Sequence, residues 1–170
     1  MSPAPAASCE QLTGVRQEAK LAGKGGDMQQ AMVVRRMTQD DIKKILEIDQ
    51  KIVGKERAPS WPQRVSSHLE TYYPALCYVA EQEGKVVGFI LGDIRGAEYG
   101  LPLSAWIDIM GVDPVHQRQG IGRKLVETFI EECRRTGLKT RTMLREEDRR
   151  LQGFLHSLGF QRGQLVEFVK

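Results

Sequence analysis

The sequence predicts an α/β fold with a mixed central sheet flanked by helices. Three observations indicate it. Short apolar strands alternate with segments of helical periodicity, in the order β-α-α-β-β-β-α-β-α-β. The turn Gln82-Glu83-Gly84 joins two strands as a hairpin. The apolar run 106–112 leads through a glycine loop into an amphipathic helix.

Composition limits the class of protein. The chain has 170 residues, 41% of them hydrophobic and 28% charged, which suits one soluble domain with one core. No apolar run approaches the roughly 20 residues of a membrane helix, so we expect no membrane partner. A net charge of +3 gives little support to a nucleic-acid partner. The cysteines Cys9, Cys77 and Cys133 are too widely spaced for a disulfide framework or a zinc site, which favours a cytoplasmic protein without a metal.

The first part of the chain differs from the rest. Residues 1–31 are poor in large apolar side chains, so we expect a flexible tail, with a short helix at 10–21 as an option. A transit peptide is an alternative, although acidic and basic residues are balanced there. Translation starting at Met28 or Met32 is another. The predicted domain is 32–170.

The N-terminal half of the domain is expected to form a strand, two helices and a hairpin. The strand is Met32–Met37, and Thr38 with Asp41 resembles a capping box for the first helix. The loop Gly54–Pro62 leads to a second helix, which ends before Pro74. The residues of these two helices that we expect to face the core are Ile42, Ile45, Leu46, Ile48, Val65, Leu69 and Tyr72.

The hairpin strands are predicted at 76–81 and 85–95. Gly88 and Gly92 interrupt the second strand, which predicts a bulge or close packing. A loop at 96–102, carrying Glu98 and Tyr99, then enters the central strand.

The glycine loop after the central strand has the geometry of an anion site. Amide N–H groups in the first turn of a helix lack intrahelical partners and lie at the positive end of its dipole. Gly120 and Gly122 let a ligand approach the backbone, and Arg118 and Arg123 add positive charge. A dinucleotide fingerprint would need a glycine at Leu125, and a Walker loop needs a different spacing, so neither is present.

The C-terminal part is predicted to add a strand, a helix and a last strand. The helix after the glycine loop should end at Gly137, and the strand 139–145 follows. The next helix begins near Asp148, an expected N-cap, and ends at Gly159, with Leu151, Phe154, Leu155 and Leu158 buried. The last strand is 164–170. Only one strand fits after Phe160, so the sheet edge should be exposed and open to pairing in a homodimer.

The segment Gln117-Arg118-Gln119-Gly120-Ile121-Gly122 resembles the acetyl-CoA motif Gln/Arg-x-x-Gly-x-Gly/Ala of the GNAT (Gcn5-related) N-acetyltransferases. Val112-Asp113-Pro114 upstream and Phe154–Phe160 downstream resemble the family's flanking segments. The resemblance covers about 32–170. It implies the GNAT-like acyl-CoA N-acyltransferase fold, acetyl-CoA as cosubstrate, and an amine of a small molecule or peptide as acceptor.

The resemblance also implies positions for the coenzyme. Its pyrophosphate would lie on the backbone of the loop and first helical turn, and its pantetheine arm along the central strand. The thioester would then lie beside Met110, whose N–H would stabilise the oxyanion. The implied coenzyme-binding residues are Met110, Gly111, Val112, Gln117, Arg118, Gln119, Gly120, Ile121, Gly122 and Arg123.

A base must take a proton from the acceptor amine. Strand alternation places Asp108 on the same face as Trp106 and Met110, which makes it the first candidate, with Glu98 second. The alternative is that Asp108 orients the acceptor or pairs with an arginine.

Two groups of residues leave alternatives open. Leu155 stands where the family usually has a tyrosine that protonates the leaving thiolate. His156 and Ser157 are adjacent but turned about 100° per residue from it, so water or another tyrosine, such as Tyr72 or Tyr73, is an equal alternative. Trp61, Tyr72 and Tyr73 are acceptor contacts by resemblance, or core and rim aromatics. The three histidines, His68, His116 and His156, lack metal-ligand spacing and are interpreted as surface or capping residues.

Three functions are therefore compared: an enzyme acting by direct attack in a ternary complex, a CoA-binding module without turnover, and a nucleic-acid binder. The last rests only on a stripe of arginines and lysine, which acids between them make more typical of an ion-paired surface. These basic residues are Arg134, Arg135, Lys139, Arg141, Arg145, Arg149 and Arg150.

Overall fold

The computed structural model describes residues 32–55, 57–70 and 75–170. Five strands form one sheet in the order β1-β2-β3-β4-β5. Every pair of neighbours is antiparallel except β4 and β5, which are parallel, so the predicted mixed sheet is confirmed. The strands are β1 Met32–Arg36, β2 Cys77–Gln82, β3 Lys85–Arg95, β4 Ser104–Val112 and β5 Lys139–Thr142.

Four helices flank the sheet. They are α1 Ile42–Val53, α2 Trp61–Glu70, α3 Ile121–Arg135 and α4 Arg149–His156. Local sequence signals set their ends as predicted: the Asp41 carboxylate accepts hydrogen bonds from the Thr38 backbone and hydroxyl, and Asp148 caps α4 through Leu151 N–H. Helix α2 begins at Trp61, so the last two residues of the predicted loop, Trp61 and Pro62, are helical.

The sheet has a hydrophobic core on each face. Helices α1 and α2 cover one face, where Ile45, Ile48 and Val65 pack against Phe89 and Leu91. Helix α3 covers the other face, and its buried residues pack against alternate residues of β2, β3 and β4. Those residues of α3 are Ile121, Leu125, Val126, Phe129 and Cys133.

Close packing at Gly92 explains its place in β3. A Cβ atom there would lie 2.3 Å from Phe129 Cε2 and 2.9 Å from the carbonyl oxygen of Trp106. The register between β3 and β4 also shifts between Leu91 and Gly92. The predicted bulge and the predicted close approach are both found at this glycine.

The same register shift creates a β-bulge in β4. Leu91 pairs with Ile109 and Gly92 pairs with Ile107, so Asp108 is the extra residue of a β-bulge. Strand β5 pairs only with Ser104–Ile107 and then diverges. Beyond Ile107, the edge of β4 that faces β5 has no neighbouring strand within the described residues.

Three sequence predictions differ from the structure or lie outside it. The predicted last strand at 164–170 is wrong: this segment forms no strand, and the large apolar side chains of Val166, Phe168 and Val169 are exposed. Strand β5 ends at Thr142 instead of Arg145. The tail 1–31, with Cys9, and the candidate acceptor contacts Tyr72 and Tyr73 lie outside the described residues.

No helix in the described part of the chain is both long enough and apolar enough to span a membrane.

Candidate active site

The glycine loop at the end of β4 is held by two side chains. Asp113 accepts a hydrogen bond from Val115 N–H and forms a 2.7 Å ion pair with Lys51 of α1. Burial opposes the charged form of Asp113, but the Lys51 ammonium outweighs it and lowers the pKa of the carboxyl. The Gln117 amide donates to the carbonyl oxygen of Val112 at 3.2 Å. The start of the loop is thus fixed to α1, and its middle is fixed to the end of β4.

The backbone of the loop contains two left-handed residues. Gln117 is extended, whereas Arg118 and Gly120 have φ values of 64° and 82°. Gly120 is followed directly by the right-handed residues of α3, and such a pair of opposite-handed residues turns successive N–H groups toward one side, which forms a concave anion site. A left-handed arginine is strained by about 1 kcal/mol.

Helix α3 adds free donors next to this loop. Its first intrahelical hydrogen bond runs from Lys124 N–H to the carbonyl oxygen of Gly120, so the N–H groups of Ile121, Gly122 and Arg123 have no intrahelical partner. The Ile121 side chain is buried in the core, which leaves only its backbone for a ligand. Arg123 donates to the Ser157 hydroxyl of α4 at 2.8 Å.

The open edge of β4 presents the N–H groups of Met110 and Val112. Asp113 N–H donates to Val87 of the hairpin at 2.8 Å, so it points toward β3. Because N–H direction alternates along a strand, Val112 and Met110 N–H point toward the opposite edge. Val112 and Ile107 carbonyls accept there from Gln117 and Thr142, which agrees with this assignment.

The bulge changes which side chains share a face of β4. Trp106, Asp108 and Ile109 face α1 and α2, whereas Met110 packs on the α3 face near Gly122. Simple alternation would have placed Asp108 and Met110 on the same face, and that expectation is wrong. A bulge puts two consecutive residues opposite one, which shifts the alternation after Asp108.

Asp108 lies between a histidine and an arginine. Its Oδ2 atom lies 3.3 Å from His68 Nε2 of α2, and its Oδ1 accepts a hydrogen bond from the Arg95 guanidinium. His68 Nδ1 lies 2.7 Å from the carbonyl oxygen of Arg64, so Nδ1 carries a proton. These three side chains are linked through the Asp108 carboxylate, and we call them the Asp108 cluster: Arg95, Asp108 and His68.

The cluster shifts the pKa values of His68 and Asp108. The hydrogen bond that His68 donates to Asp108 raises the pKa of His68 above 6.5, although burial opposes this. Burial favours the neutral form of Asp108, but His68 and Arg95 outweigh it and lower the pKa of the carboxyl. A carboxylate with a lowered pKa is a weaker base, so His68 titrates nearer to neutral pH than Asp108 does.

Sequence reasoning did not predict the contact between His68 and Asp108. Interpreting it as a surface or capping histidine is wrong, because its side chain is 12% exposed and paired with Asp108. A signal was present: His68 follows the buried Val65 by three residues, which places both on the inward side of α2.

Other candidate residues occupy defined places around the cluster. Trp106 is buried, and its ring contacts the guanidinium of Arg95 and the ring of Tyr99. Glu98 accepts a hydrogen bond from Gly96 N–H, and such backbone bonds lower the pKa of its exposed carboxyl. Trp61 packs with the α1 and α2 core under the guanidinium of Arg57.

The described residues contain no group of three His, Cys, Asp or Glu side chains placed to hold a metal ion. His156 contacts the carbonyl oxygen of Phe160 and is exposed.

This site can be compared with known proteins. The family model described as "Acetyltransferase (GNAT) family" matches residues 41–160, which is more than half of the chain. The chain belongs to this acetyltransferase family. The match includes the Asp108 cluster, the open edge of β4 and the glycine loop.

Solved structures show the same GNAT fold. Ard1 from Thermoplasma volcanium is 24% identical with a TM-score of 0.65, covering 79% of this chain and 85% of that one. The ribosomal-protein-S18-alanine N-acetyltransferase from Escherichia coli is 24% identical with a TM-score of 0.66, covering 79% and 80%. Aminoglycoside N-acetyltransferase AAC(6')-Iy, in complex with CoA, is 16% identical with a TM-score of 0.69, covering 88% and 98%. No curated protein sequence matches the chain.

Two features of this GNAT chain bear on its chemistry. Leu155, at the position of the usual tyrosine, is buried in the core and has no proton to give. Cys77 and Cys133 are buried as free thiols, and burial raises the pKa of Cys77 to about 11. A thiol so rarely ionised is a poor nucleophile.

Proposed function

We propose that the protein is an acetyl-CoA-dependent N-acetyltransferase acting on a primary amine. The main observation that supports this proposal is the placement of two sets of backbone N–H donors. The loop and the start of α3 present N–H groups suited to a diphosphate, and the open edge of β4 continues from the same loop. Membership of the GNAT family supports it.

In this proposal the coenzyme is the cosubstrate and lies along both sets of donors. Gln117, Arg118, Gln119, Gly120, Ile121, Gly122 and Arg123 would bind its diphosphate. Gly111 and Val112 would bind the pantetheine arm. Met110 N–H would donate to the thioester carbonyl oxygen and stabilise the oxyanion.

The acceptor amine would enter from the face that α2 covers. Its ammonium would donate hydrogen bonds to Asp108, and His68 Nε2, in the deprotonated form, would take one proton. The neutral nitrogen would then attack the thioester carbon, and collapse of the oxyanion would break the carbon–sulfur bond. CoA would leave as a thiolate. The second proton that the nitrogen loses as the amide forms would pass through water to this thiolate, because Leu155 cannot supply one. Glu98 is a secondary candidate for proton uptake at the rim.

Direct attack in a ternary complex is favoured over an acetyl-cysteine intermediate. Both described cysteines are buried in the core and have raised pKa values, so neither is activated for attack. Initial-velocity plots should therefore intersect and should not be parallel.

Incubation with acetyl-CoA and a panel of amines tests the proposal, with release of free thiol as the readout. The panel would contain amino acids, peptides, polyamines and aminoglycosides. We expect amine-dependent thiol release that His68→Gln reduces. CoA binding without thiol release for any amine would support the second function, a binding module, which the buried Leu155 favours.

We further propose that the protein forms a homodimer through the open edge of β5. A groove of about 420 Å³ with a mixed polar and apolar lining lies beside this edge, and Thr140 and Phe160 are among its lining residues. The exposed apolar segment 164–170 follows directly after the groove. Burying both would remove apolar surface from water.

A further inference from the structure

Two guanidinium groups lie near the ring of Trp106, but their partners differ. The central carbon of Arg95 is 5.0 Å from the ring centroid and that of Arg141 is 6.0 Å away. Arg95 is neutralised by Asp108 and lies 4.0 Å from the carboxylate of Asp93. Arg141 forms no ion pair with any described residue.

Arg141 is nevertheless held in a fixed orientation. Its Nε donates to the hydroxyl oxygen of Ser104 at 3.1 Å. Ser104 is buried, and its own hydroxyl donates to the carbonyl oxygen of Pro102 at 2.8 Å. With Nε fixed and the guanidinium beside Trp106, both terminal nitrogens remain free to donate. A planar pair of donors suits bidentate binding of a carboxylate.

The position of Arg141 separates it from the coenzyme loop. Arg141 pairs in register with Trp106, which lies six residues before the end of β4 at Val112. At about 3.3 Å per residue, roughly 20 Å of strand separates Arg141 from the loop that would bind the diphosphate. It lies instead on the α2 side, where the acceptor would enter.

We infer that the acceptor carries an acidic group, which Arg141 binds while the amine lies at the Asp108 cluster. This rests on the proposed acetyltransferase function. The pairing of the arginines agrees with it: Arg95 has carboxylate partners in Asp108 and Asp93, whereas Arg141 has no carboxylate partner among the described residues. Trp106 and Asp108 are two residues apart in β4. Arg141 also lies one strand spacing away from Trp106, so the acid and the amine should be separated by roughly 8 Å, more than the α-amine and the carboxylate of a free amino acid.

A matched pair of amines tests the inference. 6-Aminohexanoate has its carboxylate and amine at about this separation, and 6-aminohexanamide replaces only the carboxylate. Acetylation of each by wild-type protein is compared with that by Arg141→Gln and Arg141→Lys. Lys139→Gln, an exposed lysine on the same strand, is the control. Calorimetric CoA binding by each variant confirms that its fold is intact.

We expect the wild type to prefer the acid over the amide by about tenfold or more in kcat/KM, mainly through KM. Arg141→Gln should abolish this preference, Arg141→Lys should keep part of it, and Lys139→Gln should leave it unchanged. Equal use of acid and amide, or a preference that survives in Arg141→Gln, would overturn the inference. The inference would also be overturned if the protein acetylated other amines but neither 6-aminohexanoate nor 6-aminohexanamide. If no amine in any panel is acetylated, the proposed function itself fails.

Discussion

Asp108 Oδ2 lies 3.3 Å from His68 Nε2, although the two residues are 40 positions apart in the chain. Asp108, the extra residue of the β4 bulge, faces α2, and the inward face of α2 presents His68. Neither residue alone has the properties of the pair. Asp108 holds the imidazole in place and raises its pKa, and the imidazole provides the titratable group.

The pH dependence of acetyl transfer should therefore report His68. The protonated imidazole cannot accept a proton, so kcat/KM should rise with pH through a pKa above 6.5. Asp108→Asn removes the main cause of the raised pKa, so the rising limb should move to lower pH. His68→Gln should lower kcat/KM by about 100-fold or more. Rate profiles between pH 5.5 and 9 measure this. The exposed His156, changed to Gln, is the control.

An unchanged rising limb in His68→Gln would assign proton uptake to another group. Glu98 would then be the next residue to replace.

The packing at Gly92 predicts a stability effect without any change at the reacting atoms. Gly92→Ala places a methyl group 2.3 Å from Phe129 Cε2, and the Trp106 carbonyl oxygen blocks movement away. We expect the free energy of unfolding to fall by about 1–3 kcal/mol. Denaturant titration measures it. Gly163→Ala is the matched control, since no atom lies within 4 Å of its added Cβ. Equal stability of the two variants would show that β3 and α3 can separate.

Replacing Gly153 by alanine should stabilise the fold. Gly153 lies inside α4 with no atom within 4 Å of an added Cβ, so alanine meets no steric conflict. Gly153→Ala should raise the free energy of unfolding by about 0.5–1 kcal/mol. A thermal unfolding curve measures this, and a lower midpoint would contradict the described course of α4.

The proposed dimer predicts a mass in solution. Sedimentation at micromolar concentration should give twice the chain mass of 19.2 kDa. Deleting 164–170 should yield a monomer if this segment takes part. A monomeric wild type would contradict association through β5.

Local signals in the sequence predicted the structural features that depend on residues close together in the chain. The Thr38–Asp41 capping box, the Asp148 cap and the glycine loop each involve groups within a few positions, so the pattern specifies the geometry. The family motif adds the position of the loop at the end of β4. The order of all elements except the last strand followed from such signals.

The same reasoning could not predict pairing between residues that are far apart in the chain. The bulge at Asp108 arises from the register between β3 and β4, and it moves Met110 to the opposite face from Asp108. The segment 164–170 has apolar, β-branched residues, yet a strand also needs an edge with which to pair, and a pattern does not provide one. His68 and Arg141 acquire their partners only when α2 and β5 are packed against β4.

The central claim is that the glycine loop and the first turn of α3 bind CoA through backbone N–H groups. Calorimetric titration of wild-type protein and Gly122→Val with CoA tests it most directly. A Cβ at Gly122 would lie 3.6 Å from Met110 Cε, an ordinary contact, so the fold should survive while the side chain fills the space beside the open edge. We predict saturable binding by the wild type and binding weaker by about tenfold or more in the variant. No heat of binding to the wild type, or equal affinity in a folded Gly122→Val, would contradict the account.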